Sequence, residues 1–167
     1  IAEYHGNGIA EKDKIWPGDD DGSDENWNNW INTVKQSVHK LITEGFIINS
    51  SSNKLELDIW NEPDNHYWAR DREQFFENRK RGYQAIKSVL DENYIDKKNV
   101  NIVGTSLSNF DMDFLKKFIS TCSDTGTLPD ILSWHELSDS VSSDLIASHV
   151  NQIQQWMIDN NITTIKK

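Results

Sequence analysis

Stretches with apolar residues at helical spacing alternate along this chain with short apolar runs of strand period, and no other feature limits the fold so strongly. Trp27, Trp30, Ile31, Val34, Val38, Leu41 and Ile42 share one helical face, and Gly45 stands where a left-handed cap would end it. Phe75, Phe76, Tyr83, Ile86 and Leu90 mark a second helix. Phe114, Leu115, Phe118 and Ile119 mark a third over residues 111–123, and Leu145, Ile146, Val150, Ile153, Trp156 and Met157 a fourth. Between them lie strand-like runs at 55–60, 100–104 and 131–135, with a further strand opening at 162–165. Helices long enough to cross back over a sheet imply parallel strands and right-handed crossovers, hence an α/β fold, with residues 1–167 as one domain. No Gly-x-Gly-x-x-Gly and no phosphate loop follows any strand, so a nucleotide-binding open sheet is the weaker choice.

The run at 55–60 carries the chemistry. Leu55, Leu57 and Ile59 alternate with Glu56 and Asp58, and Pro63, which has no N–H for a ladder, is expected to end the strand. Trp60, Asn61 and Glu62 are thereby delivered together at a strand's C-terminal end, where α/β sheets place their reactive groups. Trp60-Asn61-Glu62-Pro63 resembles the acid/base signature of the retaining glycoside hydrolases built on (β/α)8 barrels. The longer run to Asp64-Asn65-His66 is most similar to glycoside hydrolase family thirty-nine, the family of β-xylosidases and α-L-iduronidases.

The resemblance implies a partial TIM barrel. A complete one usually needs at least ~200 residues, so this chain is expected to be an excised or truncated piece holding about the middle half. The strands at 55–60, 100–104 and 131–135 would be the fourth, fifth and sixth of the barrel, with the seventh beginning near Thr164. A retaining glycosidase needs an acid to protonate the leaving oxygen and a second carboxylate ~5–5.5 Å away to attack the anomeric carbon. By resemblance, Glu62 is that general acid/base and Asn61 the amide that binds the sugar 2-hydroxyl, while the nucleophile glutamate falls just after Lys167. Without it the 167-residue piece is expected to be inactive, and its open sheet edges invite self-association.

Other residues follow from their place near that strand end. Tyr67 and Trp68 sit just beyond the acid and are expected to face a pocket. His135, at the end of the run 131–135, is a satisfied core histidine on its own showing, and a pocket residue if the resemblance holds. Glu136 is the rival carboxylate, read as a substrate contact, and Trp134 should point away from His135 by strand alternation. His5, in the turn His5-Gly6-Asn7-Gly8, lines a pocket or stands exposed in a loop. Glu56 and Asp58 are ordinary acids on a solvated or helix-facing side. A carbohydrate partner fits the seven tryptophans, whose ring faces stack on sugar C–H groups, although most indoles pack in cores. A non-catalytic carbohydrate-binding or scaffold protein of the same fold is the alternative reading.

A net charge of −10 argues against nucleic acid or anionic membrane as partners. The acidic cluster at residues 19–25 does not fit a calcium loop, because counting back from Gly22 puts Pro17 at the first ligand position; it suits a helix N-terminus instead. No metal and no cofactor is implied. Cys122 is alone, flanked by apolar helix positions, and reads as a buried structural thiol. The chain shows neither signal peptide nor membrane span, and a secreted or periplasmic setting is expected over a cytoplasmic one.

Overall fold

A computed structural model describes residues 24–49, 54–65, 68, 71–137 and 140–165, with side chains described from Trp27 onward. The elements alternate as α1 (Asp24–Thr43), β1 (Leu55–Asp58), α2 (Arg72–Glu92), β2 (Val100–Leu107), α3 (Met112–Asp124), β3 (Ile131–Trp134) and α4 (Ser143–Asp159), with one 3-10 turn at Lys97–Asn99. The strands form a parallel sheet in the order β1-β2-β3. Asp58 pairs with Val103 across the first ladder and Gly104 with Leu132 across the second, so all three C-terminal ends lie at one rim.

Helices α2, α3 and α4 begin where the sequence supplies an acceptor for the unpaired first-turn N–H groups. Asp71 accepts from Gln74 N at 2.8 Å, Asp111 from Phe114 N at 2.9 Å and Ser142 from Leu145 N at 3.2 Å. Such a cap contributes about 1 kcal/mol. Gly45 ends α1 at φ 78°, with Phe46 N–H reaching back to Leu41 O at 2.9 Å.

The core lies between helices and sheet in two clusters. Phe75, Phe76, Phe114, Leu115, Phe118 and Ile119 fill one, and Val34, Val38, Leu57, Ile59, Ile86 and Val89 the other. Leu57 and Ile59 therefore face the helices, which turns Glu56 and Asp58 to the opposite face of the sheet. Glu56 is exposed there, as expected, whereas Asp58 is half-buried against Ser106, which corrects its expected solvated or helix-facing side. Cys122 is buried and free, as its neighbours implied.

Three boundaries differ from the sequence reading. β1 stops at Asp58, well before Pro63, because the next N–H groups turn away from the ladder. β2 runs on through the polar residues Thr105 and Ser106 to Leu107, since Ser133 supplies partners for both and a register irregularity absorbs Ser106. Residues 162–165 form no strand. Ile162 N–H caps α4 by donating to Met157 O at 2.8 Å, and Ile165 is buried in the core.

Arg79 on α2 is the least expected core residue. Its side chain is 2 % exposed, none of its nitrogens has a hydrogen-bond partner, and it lies 5.5 Å over the Tyr83 ring and 5.8 Å over that of Phe118. A Cβ on Gly104 would come within 3.2 Å of Arg79 Nε, so the glycine leaves room for the guanidinium. Burial pulls the group below its usual range, against the raising influence of Cys122, Asp58, Tyr83 and Asp130. Exchanging a poorly compensated buried charge for a hydrophobe of similar volume is often neutral or stabilising by about 1–4 kcal/mol. Arg79→Met is accordingly expected to raise the urea midpoint. A loss above about 1 kcal/mol would show that the guanidinium is paired after all.

Candidate active site

Because β1, β2 and β3 are parallel neighbours, the segments leaving them meet at one rim. Glu62 leaves β1 in the left-handed region, at φ 47°, which costs a non-glycine residue energy unless its surroundings hold it. Its N–H donates to Ser106 O at 2.8 Å, and Ser106 is itself left-handed at φ 54°. Asp64 adds a staple, accepting from Ser108 N and Ser108 Oγ, each at 2.8 Å. The turn after β1 is thus tied to the end of β2 at two points, and the carboxyl it carries has little freedom.

That carboxyl is largely buried, and its Oε1 lies 2.8 Å from His135 Nδ1. His135 follows β3, and its own N–H donates to Leu107 O at 2.8 Å. The His135 side chain is 35 % exposed against 10 % for Glu62, so the pair opens to solvent mainly through the imidazole. Asn65 Nδ2 stands 3.5 Å from Glu62 Oε2. Asn61 is half-buried and borders a cavity of about 800 Å3 between β1 and α1, which Trp60, Asp58 and Glu56 also line. Trp60 meets Trp30 edge-on at 5.8 Å and Trp68 at 5.2 Å.

Of the residues singled out from the sequence, the structure brings Glu62, His135 and Asn61 to this rim. Trp68 belongs to the core instead. Its ring is 5 % exposed, sits 5.8 Å from Phe75 and donates Nε1–H to Asp71 O at 3.0 Å, so it offers no open face to a sugar. Glu136 likewise departs from its expected role. It turns to the helix side, where Trp134 Nε1 donates to its Oε1 at 2.8 Å and His149 Nδ1 stands 2.6 Å away. Trp134 does point away from His135, packing on Phe110 at 5.4 Å. Tyr67 and His5 lie outside the described residues.

On the sheet face away from the helices, Ser106 Oγ donates to Asp58 Oδ2 and lies 2.8 Å from Ser133 Oγ. Burial pushes the Asp58 carboxyl up, against the lowering pull of the Ser106 hydroxyl, the Trp60 N–H and the Arg79 charge. A carboxyl raised in the folded state stabilises fully below its ordinary value of 3.8 and loses that contribution as pH rises through the folded value. Asp58→Asn should therefore gain stability relative to the parent as pH is raised from about 4 to 8, read by urea unfolding across that range. A pH-independent difference would contradict the raised carboxyl.

Sequence reasoning passed over Ser106, Ser133 and His149, and took Asp64 only as part of the motif. Only His149 gave a signal, since it falls on the apolar face of α4 between Ile146 and Ile153.

No protein-family model and no curated protein matches the chain. Solved structures do. A protein of Neocallimastix frontalis is 24% identical at a TM-score of 0.63, over 83% of this chain and 30% of that one. A monomeric β-xylosidase from Caulobacter crescentus CB15 is 16% identical at a TM-score of 0.58, over 78% of this chain and 28% of that one. A GH39 β-xylosidase from Caulobacter crescentus is 16% identical at a TM-score of 0.57, over 78% of this chain and 26% of that one. The chain spans less than a third of the length of these structures, and at such identities the likeness is one of fold. What is shown is a glycosidase-like α/β fold that corresponds to part of a β-xylosidase barrel.

Proposed function

We propose that the chain is the central part of a retaining glycoside hydrolase barrel, with β1, β2 and β3 as its fourth, fifth and sixth strands and Glu62 as general acid/base. The observation that carries this reading is a buried carboxyl held 2.8 Å from an imidazole where adjacent parallel strands end, on the motif Trp60-Asn61-Glu62-Pro63. His135 takes Oε1, which leaves Oε2 to carry the proton given to the glycosidic oxygen. Asn61, next to the acid, binds the sugar 2-hydroxyl. The second carboxylate of this reading is a glutamate just after Lys167, which at ~5–5.5 Å from the acid attacks the anomeric carbon directly. Water then hydrolyses the glycosyl-enzyme, with Glu62 acting as base.

The substrate class we propose is a β-xyloside or a related O-glycoside, in keeping with the β-xylosidases that share the fold. Tyr67 and His5 are proposed to complete the sugar pocket. The full-length protein carrying this sequence is expected to hydrolyse aryl β-xylosides and xylobiose with retention of anomeric configuration, followed by NMR of the released sugar. Tight binding of xylo-oligosaccharides with no hydrolysis would favour a carbohydrate-binding protein, and inversion would exclude the two-carboxylate retaining mechanism.

A further inference from the structure

A second carboxylate–imidazole pair lies on the far side of the β3 exit. Glu136 and His149 are both partly buried, with side-chain exposures of 15% and 17%. Glu136 Oε1 is 2.6 Å from His149 Nδ1 and accepts from Trp134 Nε1 at 2.8 Å. The His149 ring stacks on Phe110 with centroids 4.0 Å apart and planes at 6°, and Phe110 in turn packs on Trp134. Residues from β3 and α4 therefore bond one carboxylate, and Phe110, from the connection after β2, packs on both of its partners. Burial pushes Glu136 up, but the bonds from His149 and Trp134 outweigh it and leave the carboxyl below its usual range.

Glu136 directly follows His135, and successive side chains of an extended segment point to opposite sides. Whatever fixes Glu136 on the helix side fixes His135 on the rim side. The His135 backbone has one further anchor, its N–H bond to Leu107 O. We propose that His149 and Glu136 form a clamp that positions His135 against Glu62, so that α4, which bears none of the rim residues, sets the geometry of the acid. The clamp stands on its own geometry, while its effect on catalysis rests on the reading of Glu62 as general acid/base.

Two substitutions separate the bond from the stacking. His149→Phe keeps a ring on Phe110 and loses the bond to Glu136, whereas His149→Gln keeps an amide donor within reach of the carboxylate. Imidazole NMR on the full chain reads the ring signals of each variant, with His135 identified by its loss in His135→Asn. In His149→Phe the His135 ring signal is expected to move toward its position in Glu62→Gln, and in His149→Gln to stay near the parent. Turnover in His149→Phe is expected to fall ten- to a hundredfold with KM little changed, as for a group displaced by a fraction of an ångström to 1 Å. Should His149→Phe fail to fold, Glu136→Leu gives the same comparison.

An unmoved His135 ring signal in a folded variant would overturn the clamp. A moved signal in a protein that hydrolyses no glycoside upholds the clamp and overturns only the glycosidase reading. Hydrolysis with an unmoved signal does the reverse.

Discussion

Glu62→Gln is expected to lower turnover of xylobiose by about 10²–10⁴-fold, the usual contribution of a positioned general acid or base. The substitution is close to isosteric, and the Ser106 O contact to the residue 62 N–H is made by backbone, so the left-handed turn should persist. The amide can still accept from His135 or donate to it across the same 2.8 Å. What it cannot do is give up a proton to the departing oxygen. Binding is therefore expected to change little, and KM for the aryl glycoside should fall if the glycosyl-enzyme accumulates. A loss below tenfold would place the proton donor elsewhere.

Phe118→Ala should cost about 3–5 kcal/mol, as phenylalanine truncations in packed cores do. Phe118 is fully buried on α3, 6.5 Å from the Phe75 ring and 6.2 Å from that of Phe76. Its Cζ would stand 3.5 Å from a Cβ on Gly104, which shows how closely the ring approaches β2. Truncation opens a cavity between α2, α3 and the sheet, and removes one of the two ring faces beside the Arg79 guanidinium. Native domains hold only about 5–15 kcal/mol in all, so the variant should unfold at a much lower urea concentration or fail to accumulate. A cost under about 1 kcal/mol would mean that the ring is not at the centre of the helix–sheet core.

Much of the architecture was legible because the helices are amphipathic and the strands short. The stripes through Val34 and Val38, through Phe75 and Ile86, and through Phe114 and Phe118 name the faces that the structure buries. The alternation Leu57, Asp58, Ile59 showed that Asp58 stands opposite the apolar side. Periodicity alone could not say whether that side meets water or the sheet interior. Arg79 sits at helical spacing between Phe75 and Tyr83, yet a charge is read as surface, and only packing around α2 reveals otherwise. Thr105 and Ser106 look like a loop because their pairing depends on Ser133, a contact distant in sequence. The stretch 162–165 has the β-branched residues of a strand, but its first N–H turns back to cap α4 instead.

The candidate site divides in the same way. Glu62 and Asn61 were visible as a local motif at a strand end, whereas His135 needed the family resemblance to be chosen over a core histidine. Trp68 and Glu136 were misplaced for one physical reason. Nearness in sequence to a reactive residue does not decide which way a side chain turns. The indole found an acceptor at Asp71 O, and the carboxylate found donors on Trp134 and His149.

The most direct test of the account compares two leaving groups. The full-length Glu62→Gln variant should retain much of its first-step rate on an aryl β-xyloside whose phenolate departs unaided. On an alkyl β-xyloside, which needs a proton to leave, it should lose nearly all activity. Equal losses on the two substrates would contradict the assignment of Glu62 as the acid.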